Sequence, residues 1–339
     1  MPGSFDGGRG RSKGPAGKGK PGARLVFLGG LGEVGRNMAA LEMGGRILVV
    51  DAGLSFPEED MPGVDLVLPD FGWLHERRAD VEAVVLTHGH EDHVGALPYL
   101  LREFKLPVFA TALTLAMLEG KLDEHGVRKR AKFHEVKPGG QAATGPFRMR
   151  FHRMTHSIPD GCAVAVDTPH GTLLHSGDFK LDQTPLDGRV TDLQGLAEEA
   201  RRGVHVFLSD STNAEQPGHV PSEREVGPVL VEIFRRAPRL IVTACFASHV
   251  HRVQQICDAA RAVGRKVAFL GRSMNQNMAA ATATGNLNVP PKDVVPIEAV
   301  KDMDPRSVVI VSTGSQGEPM SAVALMAAHE NRWIRLERG

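Results

Sequence analysis

Apolar positions along the chain fall into short runs that repeatedly end on a polar motif. Arg24-Leu25-Val26-Phe27-Leu28 predicts a strand running into glycines, and Arg46-Ile47-Leu48-Val49-Val50-Asp51 predicts a buried strand that closes on an acid. Ala83-Val84-Val85-Leu86-Thr87 has the same character and leads directly into a histidine-rich loop. Further strands are predicted over Phe147–Phe151, which alternates, and over Gly171–His175. A helix is predicted to start near Pro98, because proline suits a first helical turn and damages a helix interior. Strands alternating with helices through residue 205 predict an α/β layered domain.

A second series of apolar runs follows: Val204–Leu208, Leu240–Thr243, Lys266–Leu270 and Val308–Ser312, with helical segments at 222–236 and 250–263. Residues 206–339 therefore read as a second α/β unit. Parallel sheets gather ligands beyond the carboxyl ends of their strands, so Asp210 after the first run and Ser248–His251 after the second are placed to converge on one cleft. Gly29-Gly30-Leu31-Gly32-Glu33-Val34-Gly35 fits neither G-x-G-x-x-G nor a P-loop ending, and predicts a tight hairpin.

The richest chemistry lies in His88-Gly89-His90-Glu91-Asp92-His93. Three imidazoles and a carboxylate suit a borderline-soft dication such as zinc, and ligands on one short loop leave little chain entropy to lose on binding. Alternation aims His88 and His90 at one ion, whereas Asp92 and His93, half a turn on, are better aimed at a second. Two metals sharing one water would make the nucleophile of a metal-assisted hydrolysis. Further ligands are expected at strand ends downstream, where His156 and Asp178 stand. A lone His or Asp at such a position is usually a turn residue; it is their order after the H-x-H-x-D-H loop that marks them.

Composition refines this picture. A length of 339 residues with 42% hydrophobic and 24% charged residues is ample for two domains with real cores. No apolar run approaches the ~18 residues of a membrane span, and the N-terminus has no hydrophobic signal core, so a cytoplasmic enzyme is expected. Residues 1–23 are expected to be a disordered, basic, glycine-rich tail, either solubilising or a loose tether for phosphate backbones. Cys162, Cys245 and Cys257 lack C-x-x-C spacing and read as reduced core thiols. Basic and acidic residues balance at 40 each, which argues against nonspecific polyanion binding. The segment from Arg235 to Arg272, however, holds eight Lys/Arg against one acid, Asp258, and makes Arg252 and Arg272 candidate phosphate contacts. Aromatics make up only 5% of the chain, so recognition of a nucleic acid would act mainly on phosphate and ribose.

The motifs together resemble the ribonuclease J family, of the β-CASP group within the metallo-β-lactamase superfamily. The resemblance rests on Gly29–Asn37, Asp51-Ala52-Gly53, the H-x-H-x-D-H loop, Thr155–Asp160, Gly177–Lys180, Ser209–Asn213, Phe246–Arg252, Gly271–Met274 and Thr313–Pro319, and runs from about residue 24 to the end. It implies a metallo-β-lactamase αββα sandwich at 24–205 interrupted by a β-CASP domain, here 206–339, with single-stranded RNA threaded between them. It implies two zinc ions: one on His88, His90 and His156, the other on Asp92 and His93, with Asp178 bridging. Asp92, Asp210 and His251 would be catalytic, the last two by match to the β-CASP acidic and histidine motifs. Ser248, His249 and Val250 fall where the family contacts the RNA backbone, although His249 replaces its usual Asn. The implied activity is a zinc-dependent ribonuclease, 5′→3′ exonucleolytic on monophosphorylated RNA and also endonucleolytic, serving rRNA processing and mRNA decay as a homo-oligomer or within a decay assembly.

The family pattern continues past Thr313–Pro319 into a His-x-Ser-Gly-His loop and one more zinc-ligating His. Neither occurs before Gly339, and His329 lacks the surrounding motif. The expectation is thus a fragment of a longer protein, with the second metal site one ligand short. Two other readings stay open: a hydrolase of the same sandwich acting on thioesters or lactams, for which the inserted unit is superfluous, and an impaired fragment that only binds RNA.

Overall fold

The computed structural model describes residues 22–58, 60–315 and 321–334; the basic tail at 1–21 and the Gln316–Pro319 part of the last motif lie outside them. Two sheets form the first domain. One holds β1 (Ala23–Gly29), β2 (Met38–Met43), β3 (Arg46–Val50), β4 (Val81–Val85), β5 (Leu106–Ala110) and β6 (Ala131–Glu135), paired in that order. The other holds β7 (Gln141–Thr144), β8 (Phe147–Arg153), β9 (Cys162–Thr168), β10 (Gly171–His175) and β11 (Val204–Leu208), with β7 and β11 as its edges.

Alternation along the strands decides what packs where. Leu41, Leu48, Val50 and Val85 of the first sheet meet Phe147, Phe151, Val164 and Val166 of the second in one sealed core. The alternate residues Ala40, Ile47, Val49, Val84 and Val108 point the other way, onto Leu97, Leu100 and Leu101 of the helix Leu97–Glu103 and Leu115, Leu118 and Leu122 of the helix Ala112–Glu124. On the outer face of the second sheet, Ala163, Ala165 and Leu174 pack against Leu196 of the helix Leu193–Arg202. The result is the expected αββα sandwich. Its helices are α1 (Gly72–Glu76), α2 (Glu91–Val94), α3 (Leu97–Glu103), α4 (Ala112–Glu124) and α5 (Leu193–Arg202).

Two expectations need correcting. The apolar pattern of Val204–Leu208 predicts a strand of the second unit, but β11 lies parallel to β10, with Leu173 opposite Val206 and His175 opposite Leu208. The pattern identifies a strand; it does not say which sheet receives it. The glycine-rich stretch after β1 does join an antiparallel pair, but through a loop spanning residues 30–37 in place of a tight turn.

The second unit is a parallel sheet in the order β12 (Ile241–Ala244), β14 (Val308–Ser312), β13 (Lys266–Leu270). Its helices are α6 (Val226–Arg236), α7 (Val250–Ala262), α8 (Arg272–Ala283) and α9 (Ala322–Ala327). Val309 and Val311 face a core with Val253, Ile256, Met274 and Met278, while Val308 and Ile310 face another with Val300 and Met326. Leu113 of α4 and Ile158 of the first domain are buried in the former core, so the two units share apolar contact next to the histidine loop. All three cysteines are buried and free, as expected.

Candidate metal centre and adjoining cleft

The polar strand ends meet at one edge of the sandwich. β3 and β4 are parallel, so Asp51 and the loop opening at Thr87 leave the first sheet side by side. β8 and β10 both run antiparallel to β9, so His156 and Asp178 emerge together from the second sheet. A hydrogen bond from Cys162 N to Thr87 O, 3.0 Å, ties the two edges together.

Three imidazoles converge there. His88 Nε2 and His156 Nε2 each lie 3.1 Å from His90 Nδ1. Burial, reinforced by the neighbouring histidines, pushes His88 and His90 well below the ordinary imidazole value, so both rings are neutral. A neutral ring carries one N–H, and three nitrogens aimed at one point cannot all satisfy one another with protons. The donor set fits a cation with imidazole ligands.

A second group shares His88. Ligand atoms of His88, His93 and Asp178 all lie within 4.8 Å of one another, as do those of His88, His90 and His156. Asp178 stands between the groups: its Oδ1 is 3.1 Å from His93 Nε2 and its Oδ2 is 3.9 Å from His156 Nε2. Burial alone would raise this carboxyl, but the hydrogen bond and charge of His93, with His156 and His90, bring it down to about 2. Asp92 Oδ2 lies 3.6 Å from His93 Nε2, and burial raises its carboxyl.

Asp51 holds this constellation from behind. Fully buried and in the left-handed region at φ 60°, it accepts hydrogen bonds from Thr87 N at 2.8 Å and Thr87 Oγ1 at 2.9 Å. Its Oδ2 is also 2.8 Å from His93 Nδ1. Burial acts to lower the pKa of His93, yet Asp51 and Asp178 together raise it well above the ordinary value. A carboxylate on the far nitrogen fixes the ring's tautomer and direction, as around metal-bound histidines generally. Asn37, 3.2 Å from His93 Nε2 and 3.4 Å from Asp92 Oδ2, completes the surround. Gly53 keeps these pieces in register, because a Cβ there would sit 1.5 Å from the Asp92 carbonyl oxygen. Asp51 and Asn37 belong to motifs visible in the sequence, but their partners are set by strand pairing. Asp51→Ala is expected to weaken metal binding at the His93 group about 10- to 100-fold, read by zinc titration against a competing chelator. Unchanged affinity would mean that the ring is held by something else.

The motif order and this geometry meet in the family comparison. The description "Metallo-beta-lactamase superfamily" matches residues 31–214, more than half of the chain. The chain belongs to the metallo-β-lactamase superfamily. Within it, residues 238–339 match the ribonuclease J β-CASP domain. The chain is 49% identical over 319 residues to ribonuclease J of Mycolicibacterium smegmatis, covering 94% of the chain and 57% of that relative. It is 44% identical to ribonuclease J of Thermus thermophilus, covering 93% and 56% respectively. For ribonuclease J of Helicobacter pylori strain J99 the figures are 40%, 94% and 46%. The chain therefore spans about half the length of these curated relatives. Its fold also resembles a crystal structure of a protein of unknown function from Enterococcus faecalis V583, with a TM-score of 0.59 at 15% identity over 86% of this chain and 77% of that one.

Beside the metallo-β-lactamase centre lies a cleft of about 970 Å³ whose walls include His156, Asp178, Lys180, Asp210, Glu223 and His251. Sequence-predicted residues of both units thus meet in one place. Asp210 Oδ2 accepts from Phe179 N at 3.3 Å and its own N–H donates to Ser176 Oγ at 2.9 Å, so it braces the loop that carries Asp178. His251 projects from the first turn of α7.

The expected RNA contacts fare differently. Ser248 precedes α7 and is half-buried. Val250 is fully buried in the second unit's core, and its N–H is bonded to Ser248 O, so its side chain does not face the cleft. His249 Nε2 points at Glu223 Oε1, 3.6 Å away, and its pKa is lowered to about 3 by burial and by Arg252. Arg252 places Nε and Nη2 at 2.9 and 2.6 Å from Glu223 Oε1. Arg272 is 81% exposed, with Nη1 3.8 Å from Glu124 Oε1. The charge excess of 235–272 is largely answered in three dimensions: Arg235 and Arg236 pair with Glu232, Arg261 with Asp258, Lys266 with Asp293. Arg265 is turned onto the carbonyls of Arg239 and Ala237. A count from Arg235 to Arg272 includes Asp258 but stops short of Glu232, one turn upstream, and leaves out Glu223, Glu124 and Asp293, which other elements bring in. Among the described residues no helix is long and apolar enough to cross a membrane.

Proposed function

We propose that the chain is the catalytic part of a zinc-dependent ribonuclease that hydrolyses phosphodiesters of single-stranded RNA, 5′→3′ from a monophosphorylated end and also endonucleolytically. The reading is carried by one observation: two donor groups that share His88 open onto a cleft walled by both units. The ribonuclease J relatives support the substrate class, and the setting we propose is cytoplasmic RNA maturation and decay, in a homo-oligomer or a larger assembly.

His88, His90 and His156 would hold one zinc, His93 and Asp92 the other, with Asp178 reaching both. Bound zinc would supply a nucleophile from water near neutral pH and a counter-charge for the phosphoryl oxygens. The chain does the rest. Asp51 and Asn37 keep His93 and Asp92 aimed, and Asp210 keeps Asp178 in place. Lys180 lies on the cleft wall where a phosphate would pass.

The test is zinc content together with cleavage of 5′-labelled, monophosphorylated RNA by the full chain. Two zincs per chain and stepwise loss of 5′ nucleotides are expected; metal binding without RNA cleavage would overturn the reading. In the same preparation, Arg272→Ala should lower the salt slope of RNA binding by about one unit for one lost phosphate contact. Arg252→Ala should leave that slope in place, since its guanidinium is held on Glu223.

A further inference from the structure

The loop that carries His156 touches the candidate metal centre at one end and the second unit at the other. His156 Nε2 lies 3.1 Å from His90 Nδ1, and Ser157 Oγ lies 3.3 Å from His90 Nε2. The next residue, Ile158, is 1% exposed and belongs to the core of the second unit. Asp160 then accepts at Oδ2 from Asn286 Nδ2 at 3.4 Å, a contact across 126 positions of chain. Asn286 moves with the second unit. Its own N–H and that of Leu287 donate to Ala281 O at 2.8 and 3.0 Å, and Leu287 is buried in the same core as Ile158.

The two ends of the loop are held differently. At its start, Thr155 N donates to Thr191 Oγ1 at 3.0 Å and Lys180 N donates to Thr155 O at 2.8 Å, both within the first domain. At its end every polar contact is long. Arg189 Nη1 stands 3.3 Å from Asp160 Oδ1 and 3.4 Å from Asn286 Oδ1, and Arg153 Nη1 stands 3.6 Å from Asp160 Oδ1. Ordinary N–H···O bonds fall between about 2.7 and 3.2 Å. The Asp160 side chain is only 14% exposed, so its carboxylate relies on these three donors, none of them at full reach. Such a junction tightens when the second unit shifts slightly towards the first.

We propose that Asp160 is a positioning residue through which RNA seated between the two units holds His156 on the first zinc group, so that RNA and zinc each raise the other's affinity. The inference rests on the ribonuclease reading of the cleft. A strand lying there touches walls supplied by both units, and drawing them together brings Asn286 and Arg189 onto the Asp160 carboxylate. With Asp160 and Ile158 both gripped, the loop has less freedom to carry His156 away from His88 and His90. Coupling of this kind is reciprocal, because the same free energy appears whichever ligand binds first. Asp160 stands in a motif legible in the sequence, but its partner Asn286 is supplied only by the packing of the units.

Asn286→Ala is the discriminating variant, because it leaves the loop and every proposed zinc ligand untouched. The probe is a 5′-monophosphorylated RNA whose first linkages carry CH₂ in place of the 3′ oxygen; it keeps the phosphate charges and cannot be cleaved there. Zinc is titrated into the full chain against a competing chelator, with and without that RNA, and the ¹⁵N signals of His156 report occupancy of its group. In the parent, RNA is expected to raise zinc affinity at the group of His88, His90 and His156 about tenfold or more. In Asn286→Ala, zinc affinity without RNA should stay within about twofold of the parent, while the gain on adding RNA falls to about a third or less. A phosphate that touches the ion directly gives a gain that survives this substitution, so the part that is lost measures the coupling. Asp160→Asn suits the left-handed backbone at φ 63° and should lose a similar share. The two changes together should cost no more than either alone, since they break one contact. Equal gains in the parent and in both variants would overturn the inference and leave the ribonuclease reading standing, whereas a parent that fails to bind the RNA would sink both. Thermal melting checks the fold, and Asp160→Asn carries the comparison if Asn286→Ala melts early.

Discussion

His88→Ala is expected to abolish RNA hydrolysis, with a loss of at least about 1,000-fold, or some 4 kcal/mol of transition-state stabilisation. The size of the effect follows from position. His88 is one of the three imidazoles proposed for the first zinc, and its ligand atom also lies within 4.8 Å of those of His93 and Asp178, so its removal empties one group and disturbs the other. The ring is also locked: it is 1% exposed, and its Nδ1 lies 3.0 Å from Thr87 Oγ1, which is itself bonded to Asp51. No neighbour can swing in to replace it, because the space around it is filled by His90, His93 and His156. The fold should survive, since the sandwich core lies behind the loop and makes no use of the imidazole. Zinc content, cleavage of labelled RNA and thermal melting check the three statements. Retained zinc with near-parental turnover would show that the ligand set is wrong.

A second large effect is expected far from the centre. Glu199 of α5 is buried beneath the outer face of the second sheet, where Arg150 grips it with Nε at 2.5 Å and Nη2 at 2.8 Å. His152 Nε2 adds a contact at 3.1 Å. Glu199→Ala would strand a largely buried guanidinium with Asp167 as its remaining acidic partner, and removing one member of a buried pair costs about 3–5 kcal/mol. Burial works to raise the Glu199 carboxyl, but Arg150 and His152 hold it below its ordinary 4.5. A carboxyl lowered by folding contributes stability above its unfolded pKa and loses it as the pH falls through the folded one. Urea unfolding should therefore show the full deficit of the variant at pH 7 and a smaller deficit in acid, below that ordinary value. A deficit under about 1 kcal/mol at neutral pH would mean that Arg150 finds solvent or a new partner.

The candidate centre was unusually legible because a single loop carries so much of it. His88, His90, Asp92 and His93 are neighbours in sequence, so no tertiary contact is needed to bring them together. His156 and Asp178 were legible for a related reason, since each ends a strand whose apolar pattern is plain. Asp51 stood in a visible motif, but its partnership with His93 spans 42 positions and exists only because β3 lies beside β4.

By itself the sequence determined the α/β class, most strands, the histidine loop and the burial of the cysteines. These depend on hydrophobic periodicity and on residue chemistry within short windows, which folding preserves. Tertiary structure decided everything that depends on which distant segment becomes a neighbour. It placed β11 in the lactamase sheet, buried Val250, and set Glu223 against Arg252, so that a segment basic in sequence is largely neutralised in space. It also set Asp178 between the two histidine groups and left His251 Nε2 facing Asp187. A charge or a hydrogen-bonding atom has no fixed partner until the backbone is placed, because electrostatic and polar contacts act over a few ångströms of space and carry no memory of distance along the chain.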